Sequence, residues 1–310
     1  MHLVGQNIGP GQPIAPGARI ELFFDRLLLP VSVTRQSFVL SDANGPYGAP
    51  TVAYDPVARA VMLSPDPPLD PCQAYKVVLV VPGDAADPNG VRAIDGAVLD
   101  PSTPASVEFS VTGKCTGDAA AAAPVTAPPL PQVDFCASII PIINSKCAGP
   151  TCHGGPLPSA GLRLDSSQAI ADTLINQVAH GSNTGPRTRA QPPGDLFGLD
   201  MPIVDPGAPG DSWLVYKLLL ADPPACSSTA GAPPCDASAP GVMNDLHSRP
   251  WNGISSTERA TLSNFVLGRA MPFPSDPSAD PSTASEPLTL DELERINFWI
   301  FEGAPVPACR

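Results

Sequence analysis

The sequence predicts two domains of different class, an all-β sandwich over residues 13–113 and an all-α domain over residues 134–310, joined by a linker at 114–133. Three observations carry this. Ser106-Val107-Glu108-Phe109-Ser110-Val111 alternates polar and apolar residues without exception, the period of a half-buried strand. Beyond residue 134 the period becomes helical, with Phe135, Ile139 and Ile143 on one face. Between them, Asp118 is followed by five consecutive Ala and then Pro-Val-Thr-Ala-Pro-Pro-Leu-Pro, which has no period and nothing to pack.

In chain order, Ile20, Leu22 and Phe24 alternate with Arg19, Glu21 and Phe23 and read as a strand. Tyr75 to Val81 is more continuously apolar, as expected of a strand covered on both sides. Turn signals separate the runs: Asp42-Ala43-Asn44-Gly45-Pro46, Pro65-Asp66-Pro67-Pro68, Asp87-Pro88-Asn89-Gly90 and Asp95-Gly96. Short strands punctuated in this way spell a β-sandwich. In the helical half, Pro141 must kink or delay the first helix. Ser167 to His180 carries Ile170, Leu174 and Val178 at i, i+4, i+8 and predicts a helix stopped at Gly181. Asp211 is the expected cap of a helix containing Trp213, Leu214, Lys217, Leu218 and Leu220. Ser255…Glu258 and Thr289…Glu292 both fit the reciprocal capping box. The second box opens a helix bearing Leu293, Ile296, Trp299 and Ile300, ended by Gly303 and Pro305. Long loops join these helices, and such loops need something to wrap around.

Composition narrows the function. A net charge of −13, from 17 basic and 30 acidic side chains, leaves no basic face for nucleic acid. No apolar run approaches the ~18–20 residues of a membrane span. Eight Cys and few Lys point to an oxidising, extracytoplasmic compartment, periplasmic or at the cell surface. Met1-His2-Leu3-Val4-Gly5 has neither a charged nor an apolar leader segment, so either a signal sequence, with any lipid anchor it carried, was trimmed or the start codon was assigned too late, and truncation is the favoured expectation.

The chemistry centres on Cys147-Ala148-Gly149-Pro150-Thr151-Cys152-His153. Two thiols followed at once by an imidazole have the logic of covalent haem attachment: each Cys adds across a vinyl group, and His153 ligates the iron from the proximal side. Four residues separate the thiols here, where the usual spacing is two. A disulfide hairpin or a partial zinc site would use the same residues, zinc needing further ligands from His180, His247 or other Cys. A haem of this type takes a Met sulfur on its distal face. Among five Met, Met271 is favoured, in the loop Gly268-Arg269-Ala270-Met271-Pro272-Phe273-Pro274, with Met201-Pro202 as runner-up. Met62 lies among the predicted strands, and Met243 beside Asn244 and Asp245 is less motivated.

Residues 134–306 resemble the class I type cytochrome c domains of large secreted or lipid-anchored bacterial proteins, the planctomycete-type group included. The resemblance runs from the Ile-rich helix into Cys152-His153-Gly154, through Gly161-Leu162-Arg163-Leu164-Asp165 and Pro206-Gly207 to Lys217-Leu218, then Met271-Pro272 and Glu294 to Ala304. It implies one covalent haem c on Cys147 and Cys152, His153 and Met271 as iron ligands, and a closing helix that packs across the first with Trp299 as the aromatic contact. Residues 13–113 resemble a bacterial Ig-like domain through Phe24-Asp25-Arg26, Tyr54-Asp55-Pro56, Leu63-Ser64-Pro65, Leu69 to Tyr75 and the Asn89-Gly90…Asp95-Gly96 loop. Asp25, Asp55 and Asp95 there are expected to form turns rather than bind calcium. The remaining Cys are expected to pair as Cys72–Cys115, Cys226–Cys235 and, because the terminal helices should touch, Cys136–Cys309. The function so implied is electron transfer rather than catalysis, with a redox partner that docks through a basic surface. The alternative is a cell-surface binding module in which the Cys-His cluster is structural.

Overall fold

The computed structural model describes residues 1–71, 73–84, 87, 89–113, 132–179, 201–221, 253–266, 270–272 and 288–309. The chain divides into two compact units, residues 1–129 and 130–310. Of the expected linker at 114–133, only 132 and 133 are described.

Among the described residues of the first unit, eight strands form two antiparallel sheets. They are β1 (Leu3–Gln6), β2 (Ile20–Phe24), β3 (Phe38–Asp42), β4 (Gly45–Pro46), β5 (Thr51–Asp55), β6 (Ala60–Ser64), β7 (Ala74–Leu79) and β8 (Ser106–Ser110). One sheet has the order β1-β2-β6-β5 and the other β4-β3-β7-β8. Alternation explains the faces: Val107 and Phe109 of β8 are buried between exposed Ser106, Glu108 and Ser110. Ile20, Leu22, Val61 and Leu63 of one sheet meet Phe38, Leu40, Tyr75, Val77 and Phe109 of the other in a single core. Phe24 and Phe38 touch edge to face at 6.1 Å, and Tyr75 stacks on Phe109 at 5.9 Å. The turn signals act through carboxylates. Asp42 Oδ1 accepts from the amides of Asn44 and Gly45, and Asp55 Oδ1 accepts from those of Val57 and Ala58. Asp25 accepts from the amide of His2, while Asp95 accepts from that of Ala97 and pairs with Arg26. One expectation fails here. β7 is not covered on both sides, because Ala74 and Lys76 are exposed between buried Tyr75, Val77 and Leu79.

The second unit corrects the predicted all-α class. Its described helices are short: α1 (Ile140–Lys146), α2 (Ser167–Thr173), α3 (Trp213–Leu219), α4 (Ser256–Phe265) and α5 (Leu290–Phe301). Isolated bridges pair Ile175 with Val204 and Val178 with Pro202 where helix was expected. The helix predicted over 167–180 therefore ends at Thr173, after which Asn176 takes a left-handed φ of 56°. Ile170 and Leu174 are buried as the period requires, but Val178 is exposed. Asp211 does not cap α3; it ends the 3-10 turn Pro209–Asp211, and Ser212 takes the cap position without a side-chain bond.

Other local readings hold. Pro141 stands in the first turn of α1, which follows a five-residue π-helical turn, Phe135–Ile139, capped by Asp134. Both capping boxes are complete, at Ser255/Glu258 and Thr289/Glu292. α5 ends on Gly303 (φ 89°), whose amide bonds the carbonyl of Ile300 while that of Ala304 bonds the carbonyl of Trp299, a Schellman closure. α5 packs against the π-helical turn, with Phe135 and Trp299 5.7 Å apart. Cys136 and Cys309 are joined by a disulfide. Cys72, Cys115, Cys226 and Cys235 lie outside the described residues.

Candidate functional site

Cys147, Cys152 and His153 occupy one tightly wound loop at the end of α1. The amides of Cys147 and Ala148 both bond to the carbonyl of Ile143, closing the helix. The chain then turns back on itself: Cys152 N–H donates to Gly149 O at 2.9 Å, His153 N–H to Cys147 O at 3.2 Å, and Gly154 N–H to Gly149 O at 3.0 Å. Gly154 is required by this winding, since a Cβ there would meet the carbonyl oxygen of Ala148 at 2.3 Å. The loop carries both thiols and the imidazole within seven residues, and neither thiol is in a disulfide, but among the described residues no three His, Cys, Asp or Glu side chains stand close enough together to hold a metal ion.

His153 is half-buried, and its Nδ1 lies 3.2 Å from the carbonyl oxygen of Leu162. A carbonyl accepts only, so this bond places the ring proton on Nδ1 and leaves Nε2 with its lone pair. Leu162 is itself held by its amide on Ser159 O, and Leu164 N–H returns to His153 O at 2.7 Å. Burial holds the imidazole below its usual pKa, opposed by its bonds to the backbone at Leu162 and Ser159, and so favours the neutral ring that can ligate a metal. Cys147 is half-buried as a residue, but the atoms around its sulfur push the thiol up to about 12, with Cys152 and Glu292 adding in the same direction and Lys146 opposing.

The two Met are not part of this loop. Met201 is buried, at 3% exposed, and its carbonyl accepts from the amide of Ala179. Met271 is half-buried, and its amide reaches the carbonyl of Lys217 on α3 at 3.4 Å. Trp213 N–H bonds Pro202 O, so the two Met-Pro segments adjoin opposite ends of α3. Lys217 is 4% exposed, with Nζ 5.1 Å from the centre of the Trp213 ring, and burial lowers its pKa to about 8. His180 and His247, the further zinc ligands weighed above, lie outside the described residues.

Sequence reasoning missed three features of this region. The Leu162 carbonyl is a backbone group and carries no residue-type signal, although Leu162 lies in the Gly161–Asp165 stretch already singled out. The indole nitrogen of Trp213 and the carboxamide of Asn297 are buried with no hydrogen-bond partner among the described residues. The signal for Asn297 was available: it is an amide in the apolar stripe of Leu290, Leu293 and Ile300.

Two features of the loop suit a haem of the implied type: Cys147 and Cys152 are in no disulfide, and the bond from His153 Nδ1 to Leu162 leaves Nε2 as the available ligand atom. No protein-family model and no curated protein matches the chain. Two solved structures of the surface-layer protein SbsC are similar to part of it, with TM-scores of 0.25 and 0.26 and 12% identity, over 33% and 37% of this chain. The chain spans 13% and 14% of the length of those structures. At such scores the likeness carries no argument about fold or function. Among the described residues, no helix is long and apolar enough to cross a membrane.

Proposed function

We propose that the chain is an extracytoplasmic electron-transfer protein carrying one covalent haem c. The observation that carries this is the loop 147–154, where two thiols outside any disulfide and an imidazole whose Nδ1 faces a backbone carbonyl fall within seven residues. Cys147 and Cys152 would each add S–H across one vinyl group, sulfur bonding one carbon and hydrogen the other. His153 would present Nε2 to the iron, oriented by Leu162. Met271 is the proposed distal ligand, since a half-buried loop Met is freer to reach a ligand than the core-packed Met201. Haem, when bound, supplies a one-electron iron couple. The net charge of −13 suits a redox partner with a basic docking surface. The Cys136–Cys309 disulfide suits an oxidising compartment, periplasmic or at the cell surface.

The test is a haem stain after denaturing electrophoresis of the chain exported with a signal peptide and maturation machinery. The stain should follow the chain and disappear when Cys147 and Cys152 are both replaced by Ala. An exported wild-type chain that never stains rejects the reading and favours a surface binding module.

A further inference from the structure

An asparagine followed by glycine is open to attack by the chain on itself, because glycine has no Cβ to shield its amide nitrogen or restrict its backbone. The pair occurs at Asn44-Gly45, Asn89-Gly90 and Asn252-Gly253, of which Asn252 lies outside the described residues. The surroundings of the first two differ in ways that decide their chemistry. Asn44 is exposed in the turn Ala43-Asn44, between the paired Asp42 of β3 and Gly45 of β4. Its carboxamide is weakly held, with Nδ2 3.5 Å from Asp42 Oδ2, at the far limit of a hydrogen bond. A Cβ built on Gly45 would meet nothing within 4 Å, so the backbone there has room to turn.

Asn89 is exposed too, but Asp87 Oδ1 accepts from both its Nδ2, at 3.0 Å, and its amide, at 2.9 Å. Gly90 is buried and pressed against neighbouring backbone: a Cβ there would meet Val80 O at 2.6 Å and Pro82 N at 2.8 Å. The next residue, Val91, is tied by its amide to the same Val80 carbonyl. The first site keeps restraints of its own, the amides of Asn44 and Gly45 on Asp42 Oδ1 at 2.7 and 3.1 Å. Only the Gly45 bond must open for that nitrogen to react.

We propose that Asn44 is a self-modification site, where the side chain cyclises onto the Gly45 nitrogen and reopens as a carboxylate, while the fold protects Asn89. The Gly45 nitrogen bonds Asn44 Cγ, the Cγ–Nδ2 bond breaks, and ammonia leaves with the proton that Gly45 loses. Water then opens the cyclic imide. Addition at Cγ leaves aspartate at position 44, and addition at the main-chain carbonyl leaves isoaspartate. The two steps consume water, release ammonia and need no oxidant. A carboxylate at this position faces Asp42 where an amide donor stood, so an attraction becomes a repulsion. Isoaspartate also lengthens the main chain between Asp42 and Gly45, and either product loosens β4 from β3.

The experiment is incubation of the full chain at mildly alkaline pH, with timed digestion and mass spectrometry of the peptides that hold each pair. Both pairs lie in the first unit, so the result does not depend on haem. Native Asn44 should deamidate at least about tenfold faster than Asn89, whose carboxamide must first leave its bond to a carboxylate. In strong urea both pairs lose their surroundings, and the gap should close. Asn44→Gln should remove the acidic species that ion exchange resolves from the intact chain, and Asn89→Gln should leave it. Equal native rates, a faster Asn89, or a gap that persists in urea would overturn the assignment.

Discussion

A methyl group on Gly154 would lie 2.3 Å from the carbonyl oxygen of Ala148, inside any tolerable contact, and the nearby atoms are backbone that cannot swing away. Gly154→Ala should therefore unwind the loop, loosen the bonds of His153 and Gly154 to Cys147 and Gly149, and lower the ratio of haem absorbance to protein. Gly149→Ala is the control, since its added carbon would meet only the Cys152 side chain, its sulfur at 3.7 Å and its Cβ at 4.0 Å, both ordinary contacts. The two Met should separate just as clearly. Met271→Ala should abolish the sulfur-to-ferric-iron charge-transfer band and open the iron to cyanide. Met201→Ala should leave the band in place while costing about 2–5 kcal/mol of stability, as truncation of a buried Met does. At this scale the loop holding Cys147, Cys152 and His153 was legible because all three fall within seven residues of sequence. The Leu162 carbonyl was not, because any residue at 162 would offer the same oxygen.

Helix ends were legible where their chemistry is local. Both capping boxes close within four residues, so the pattern Thr289-Leu290-Asp291-Glu292 contains the whole interaction. Thr289→Ala should lower the stability of the second unit by about 1 kcal/mol, measured as a shift of the denaturant midpoint at unchanged slope. Element length was less legible. The stripe Ile170, Leu174, Val178 has helical period, but Ile175 pairs with Val204 and Val178 with Pro202, partners more than twenty positions away along the chain. Beside the stop, the Thr173 hydroxyl accepts from the amide of Arg163 and has the carbonyls of Ala169 and Arg163 within reach of its single proton. Periodicity records which side of a segment is apolar and says nothing of how far the backbone stays helical, which is why the all-α expectation overreached. In β7 the warning was present, for Lys76 interrupts the run from Tyr75 to Val81 and stays exposed.

Across the whole molecule, two compact units and a disulfide spanning 173 positions inside the second make a specific thermal prediction. Replacing Cys136 and Cys309 together by Ser should lower the stability of the second unit by about 2–5 kcal/mol, because so long a loop is then free in the unfolded chain. Calorimetry should show that transition moving down while the transition of the first unit stays in place. The pairing was legible because both ends of the helical segment carry a Cys and the closing helix was expected to lie across the first, as the Phe135–Trp299 contact shows it does. The same bridge decides how the second unit would respond to being pulled from its two ends. Tension arriving at residue 136 passes through the sulfur pair to residue 309 and never loads the chain between them. All five described helices and the loop at 147–154 lie inside that bypassed stretch, so mechanical force along the polypeptide leaves the candidate site unstretched until the bridge is reduced.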